Sequence, residues 1–251
     1  MRRLFALSVF SLACGSAMAN PGGCDVDIQS DYELSLNERS VILTRDSGVP
    51  KAIVMRQGRL FVDDAWVALG AADRERIAAF ERGTRATMPE AQAVGRAAAD
   101  IAFTALGEVA AGFSSDPESS QAKLAKARVQ LDARLARSVT ATRFDGRDLG
   151  GGISEAVGAV LPSMIGDIVG GAISAAFSGD ASRLKQMETL DARIEAQVEP
   201  RARALEKRAE GLCQRMIALD AIDEAIEYRH GGKPLDLLRV QTASGPRYRK
   251  D

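Results

Sequence analysis

Between Asp25 and Leu69 apolar and polar residues alternate in short runs: DVDIQ, YELSL, SVILTR, KAIVMR, RLFVD and AWVAL. A period of two places every second side chain on one face, so each run predicts a half-buried strand. Between the runs stand Asp46-Ser47-Gly48, Gln57-Gly58 and Asp63-Asp64, residues that tolerate tight turns. The pattern predicts a small antiparallel meander. Its clearest hairpin runs from Arg59 to Leu69, where Leu60, Val62, Trp66 and Val67 surround an acidic turn. So few strands bury too little surface alone, and one face must rest on the elements that follow.

After Gly70 the period lengthens to that of a helix. Asp73-Arg74-Glu75-Arg76 opens one with Ile77, Phe80 and Met88 on its apolar side, and Pro89 predicts its end. A second helix is expected from Glu90 to Phe113. Ser114-Ser115-Asp116-Pro117 then predicts a break and a cap for a third, running to Thr142 with Leu124, Ala127, Leu131, Leu135 and Val139 in one stripe. The last helical pattern spans Ser182 to Arg229. Met187, Leu190, Ile194 and Val198 recur at three or four, then Leu205, Leu212, Leu219 and Ile226 at seven, with a kink or break expected at Pro200. Seven-residue spacing suits a coiled-coil-like seam. The third helix folding back antiparallel is its expected partner, and the same stripe on a second chain is the alternative. Beyond Gly231 the chain reads as an extended tail in which PLDLLRV adds a strand. The predicted fold is α+β and predominantly α: a meander over residues 20–69 packed on long antiparallel helices over 70–230, with a tail over 231–251, all in one domain.

The segment LPSMIGDIVGGAISAAFSGD, Leu161 to Asp180, is the most apolar after the first residues, and it is laced with glycine. Ser163, Asp167, Gly171, Ser174 and Ser178 form a small polar stripe; Ile165, Ile168, Val169, Ile173 and Phe177 stand opposite, the candidate interaction or ligand surface. Each uncharged run beside Asp167 would measure roughly 17 Å as a helix, about half of a hydrocarbon core. It should not span a membrane. A helix lying on a membrane surface would offer basic residues, and none occurs between Gly150 and Arg183. The expectation is a central helix buried by its neighbours; self-association through Gly166-xxx-Gly170 and membrane contact are the other two readings.

The opening MRRLFALSVFSLACGSAMAN has the layout of a secretory leader, with Ala17-Met18-Ala19 as the cut and Asn20 as the first mature residue. Lipid attachment at Cys14 is the alternative, although Ser11 stands where such signals prefer leucine. Losing Arg2 and Arg3 with the leader takes the net charge from −1 to −3, so no basic excess exists to draw nucleic acid. Past the cut Cys24 and Cys213 remain. In an exported chain two cysteines read most simply as one disulfide, two buried thiols being the alternative.

Candidate chemistry is sparse. The one histidine, His230, precedes Gly231-Gly232 at an expected helix end, where an imidazole caps carbonyls more readily than it catalyses. Asp145-Gly146-Arg147-Asp148 lacks the ligand spacing of a calcium loop, and Gly150-Gly151-Gly152 lacks the strand and lysine of a phosphate loop. Asp220, Asp223, Glu224 and Glu227 read as a solvated helix face. No catalytic residue, metal ligand or cofactor motif is assigned.

Cys24, the RLFVDDAWVAL hairpin, ADRERIAAFERGTRATMPE and GLCQRMIALDAIDEAIE around Cys213 together resemble the YggN-like group of exported proteins of Gram-negative bacteria. The resemblance implies periplasmic residence, a short β region followed by helices, and a Cys24–Cys213 bridge, with no site residues to carry over. The functional expectation is a periplasmic, non-enzymatic interaction or envelope-maintenance protein working through its helical surface, with an unknown protein partner or itself. The alternative is a binder of small apolar or lipid ligands in a cleft beside the glycine-rich helix.

Overall fold

The computed structural model describes residues 26–145, 165–171, 173, 174, 177, 185 and 189–242. The leader with Cys14, Cys24, the turns over 146–152, Ser163, Ser178 and the basic end 247–250 lie outside the described residues.

Five alternating runs form a continuous antiparallel meander: β2 (Glu33–Leu36), β3 (Val41–Thr44), β4 (Ala52–Arg56), β5 (Arg59–Val62) and β6 (Ala65–Val67). Their register stacks Leu36, Val41, Met55, Leu60 and Val67 in one row across the sheet. Val41, Met55 and Leu60 have no exposed surface. The opposite face stays wetter: Trp66 is half exposed, edge-on to Phe61 at 5.3 Å and covered by the Arg59 guanidinium at 4.3 Å. The first run, β1 (Val26–Gln29), leaves this sheet and pairs instead with the tail strand β9 (Arg239–Thr242), which takes only the last two residues of PLDLLRV and runs on past them.

Pro89 does not end a helix. A single helix, α1, runs from Ala71 to Phe113 through it, and α3 (Leu190–Ala225) likewise passes through Pro200 without a break. An interior proline forfeits one backbone hydrogen bond and costs about 3 kcal/mol, an amount that packing over many turns on either side outweighs. The third predicted helix, α2 (Pro117–Ser138), begins where expected, with the Asp116 carboxylate accepting the Ser119 N–H at 3.0 Å. It stops short of Thr142, because Val139–Thr140 (β7) and Arg143–Asp145 (β8) fold back as a hairpin onto the edge of β2.

The expected pairing of the third and last helices is replaced by a different arrangement. Both pack antiparallel on α1. Asp100 meets Arg128 of α2 on one side and Arg201 of α3 at 3.2 Å on the other. Leu219 nests against Gly83, where a Cβ would lie 2.8 Å from its Cδ2, so the seam uses a glycine on α1 as its hole. The main core then joins Val41, Ile53, Met55 and Leu60 of the sheet to Ile77 and Phe80 of α1, Leu135 of α2, Leu219 of α3 and Leu235 and Leu237 of the tail. The fold class is thus as expected: α+β, predominantly α, with the antiparallel strands against the helices.

Candidate functional site: an outward apolar face

Residues 165–171, 173, 174 and 177 are helical, and the segment docks where α1 turns into α2. Three contacts fix its orientation. The Asp167 carbonyl accepts the Ser115 N–H at 3.3 Å, the Asp167 carboxylate meets Lys123 Nζ at 3.2 Å, and Gly171 is pressed onto the backbone of Phe113, Ser114 and Ser115. A Cβ on Gly171 would overlap the Phe113 carbonyl oxygen and stand 2.7 Å from Ser115 N. Only glycine fits so close an approach.

Asp167 and Gly171 belong to the small polar stripe. The helix therefore sits on the protein through these two residues of the stripe, while Ser174 of the same stripe is exposed, and the expectation that its apolar side is buried by neighbours is overturned. Ile165 is 58% exposed, Val169 51%, Ile173 53% and Phe177 89%. Ile168 alone of the five candidates turns inward, against a small second core of Ala110 and Leu124 with Phe103 and Leu106. Nothing stands within 4 Å of a Cβ at Gly166 or Gly170, so the outer side is open at these two positions as well. The physical reason for the inversion is close approach. The polar stripe is made of the smallest residues, and its carboxylate finds a lysine, so that side comes nearest to the α1–α2 backbone.

The remaining sequence candidates fall elsewhere. His230 does not cap a helix, since α3 ends at Ala225. It closes a tight turn by pairing with Lys233, and its Nε2 lies 4.0 Å from the Asp63 carboxylate. Cys213 is buried on α3 at 6% exposure. The acids read as a solvated face divide sharply. Glu227 is exposed and paired with Arg76 at 2.9 Å, whereas Asp223 is 8% exposed and accepts the N–H groups of Leu237 at 2.7 Å and Leu238 at 3.2 Å. Burial pushes the Asp223 carboxyl up to about 6, against those two hydrogen bonds. Asp73 at the start of α1 is its counterpart: burial pushes it up, but the N–H groups of Glu227 and Tyr228 and the Arg76 guanidinium outweigh burial and hold it below the ordinary carboxyl value. These two carboxylates fasten the segment after α3 to the core.

Among the described residues no group of three His, Cys, Asp or Glu side chains is placed to hold a metal ion, and no helix is long and apolar enough to cross a membrane. A family model described as a protein of unknown function (DUF2884) matches residues 24–238. No curated protein and no solved structure matches the chain.

Proposed function

The chain belongs to the DUF2884 family of proteins of unknown function, and within it we propose a YggN-like, exported protein of the Gram-negative periplasm that works without catalysis, by presenting its glycine-rich helix to a protein partner. The observation that carries this reading is the mounting of that helix, with Asp167 and Gly171 against the α1–α2 turn and Ile165, Val169, Ile173 and Phe177 outward. Apolar side chains spaced four apart on a projecting helix are the anchors of helix-in-groove recognition. A rigid aromatic such as Phe177 is the residue type that fills a partner's pocket most effectively. A protein groove suits this face better than a bilayer, because no lysine or arginine occurs between Gly150 and Arg183 to meet anionic headgroups.

Export is supported by the leader pattern, and with it a Cys24–Cys213 bridge. Asp223 holds Leu237 and Leu238, and the Asp220 carboxylate is hydrogen-bonded to the Val240 backbone, so β9 runs along α3 toward its N-terminus. Val26 pairs with Thr242, which delivers the start of β1 to α3 on the Cys213 side of Asp220. Cys213 is about 10 Å of helix beyond Asp220, and the two residues before Val26 reach about 7 Å. The test of the function is photo-crosslinking from the outer face in intact cells, with a matched position on α2 as control.

A further inference from the structure

Carboxylate–arginine pairs join α1 to its neighbours level by level. Glu90 takes Arg215 through two bonds of 2.7 Å, Asp100 takes Arg128 and Arg201, and Glu108 faces Arg193 at 3.6 Å. One turn before Asp100 the pattern fails. Arg96 occupies the α1 position, and the pairs on either side place it opposite the turn of α3 that carries Arg208. Neither guanidinium has a carboxylate partner among the described residues, and both line one cleft of about 600 Å³. Ala93, Ala97 and Ala204 keep its floor low, and Arg128 and Arg201 stand at its Asp100 end. Asp132 of α2 lines it as well, without an ion pair among the described residues, so the cleft is lined by four guanidiniums and two carboxylates, one of which is already shared by two arginines.

The geometry points to a phosphate-binding site in this cleft, with Arg96 and Arg208 as the groups that grip the anion. An anion in the cleft would give the Arg96 and Arg208 guanidiniums charge-assisted bonds from two helices at once. One guanidinium fork satisfies a carboxylate, whereas a tetrahedral phosphate has oxygens for two forks arriving from different helices. The cleft falls within the volume range of small-molecule sites, so it has room for the organic part of a phosphate ester, with Asp132 placed to accept from a hydroxyl. This site is separate from the apolar face, whose helix docks through Gly171 at the far end of α1.

The test uses the full mature chain, titrated with inorganic phosphate by calorimetry and, separately, mixed with phosphatidylcholine vesicles with and without phosphatidic acid. Saturable phosphate binding, weakened at least tenfold by Arg96→Gln and by Arg208→Gln and left intact by Arg203→Gln, is expected; Arg203 pairs with Glu199 at 3.3 Å outside the cleft. Binding to phosphatidic acid vesicles alone, with the same dependence on Arg96 and Arg208, would identify a lipid headgroup as the source of the phosphate. Both cleft variants should melt no lower than the parent chain without phosphate, since each arginine is exposed and has no carboxylate partner among the described residues. Lack of saturable binding to either probe, or binding indifferent to Arg96 and Arg208, overturns the assignment.

Discussion

Gly171 rests directly on the carbonyl of Phe113, so near that the addition of one methyl group would overlap the oxygen. This contact decides which side of the glycine-rich helix faces the protein. Gly171→Ala should lift the helix from the α1–α2 turn, cost about 1–3 kcal/mol if the helix resists, and break the Asp167–Lys123 pair. Gly166→Ala, which meets open space, should be silent. Hydrogen exchange over 165–177 reads the difference: fast in Gly171→Ala, unchanged in Gly166→Ala.

Gly83 is also hemmed in by a neighbour, because Leu219 fills the space a side chain would need. Gly83→Ala pushes a core leucine out of its hole and should cost about 1–3 kcal/mol in denaturant unfolding. Gly95→Ala, whose Cβ would make ordinary 3.7 Å contact with Leu135, should be neutral or mildly stabilising.

The two buried carboxylates predict opposite pH limbs. Asp223 titrates at about 6 in the folded chain, above its ordinary value, so the folded state takes up a proton more readily than the unfolded one. Its contribution is complete below the ordinary carboxyl value and is lost as pH rises through 6. Asp73, held below the ordinary value, contributes above that value and loses the contribution as pH falls through its own. Stability measured by urea unfolding should therefore rise from pH 7 to about pH 5 and fall below about pH 4. Asp223→Asn should flatten the upper limb and leave the lower one.

Ion pairs of similar appearance should differ widely in worth. Asp73→Ala strands two part-buried backbone N–H groups, with Arg76 still paired to Glu227, and should cost about 2–3 kcal/mol. Arg215→Ala removes a solvent-screened pair with Glu90 and should cost far less. Thermal unfolding of the two variants side by side checks the order.

For the cysteines, mature protein weighed under non-reducing conditions should be lighter by two hydrogens than the reduced chain. Cys213→Ser should cost about 2–4 kcal/mol, and a doubly alkylatable native chain would contradict the bridge.

The meander was legible because alternation at period two allows only one register that buries Val41, Met55 and Leu60 together. Helix stripes were legible for the same reason: Leu124, Ala127, Leu135 and Val139 are buried on α2 and its cap. Pro89 misled because local breaking power says nothing of the packing that overrides it, and β7–β8 was too short to give a period. In the glycine-rich helix, amphipathicity distinguished two faces but not which one would lie inward; backbone close approach settled that. Asp223 looked like any other acid on a charged helix until the tail brought two N–H groups to it, and Arg96 and Arg208 are far apart in sequence, with no motif to join them.

The central claim, that the outer side of the glycine-rich helix is a protein-docking face, is tested most directly by placing a photo-crosslinking residue at Ile173 and, as control, at the exposed Lys126 of α2 in intact cells. A discrete protein adduct is expected from 173, abolished by Phe177→Asp in the same chain, and none from 126. No protein adduct from 173, an adduct to phospholipid, or the same products from both positions would contradict it.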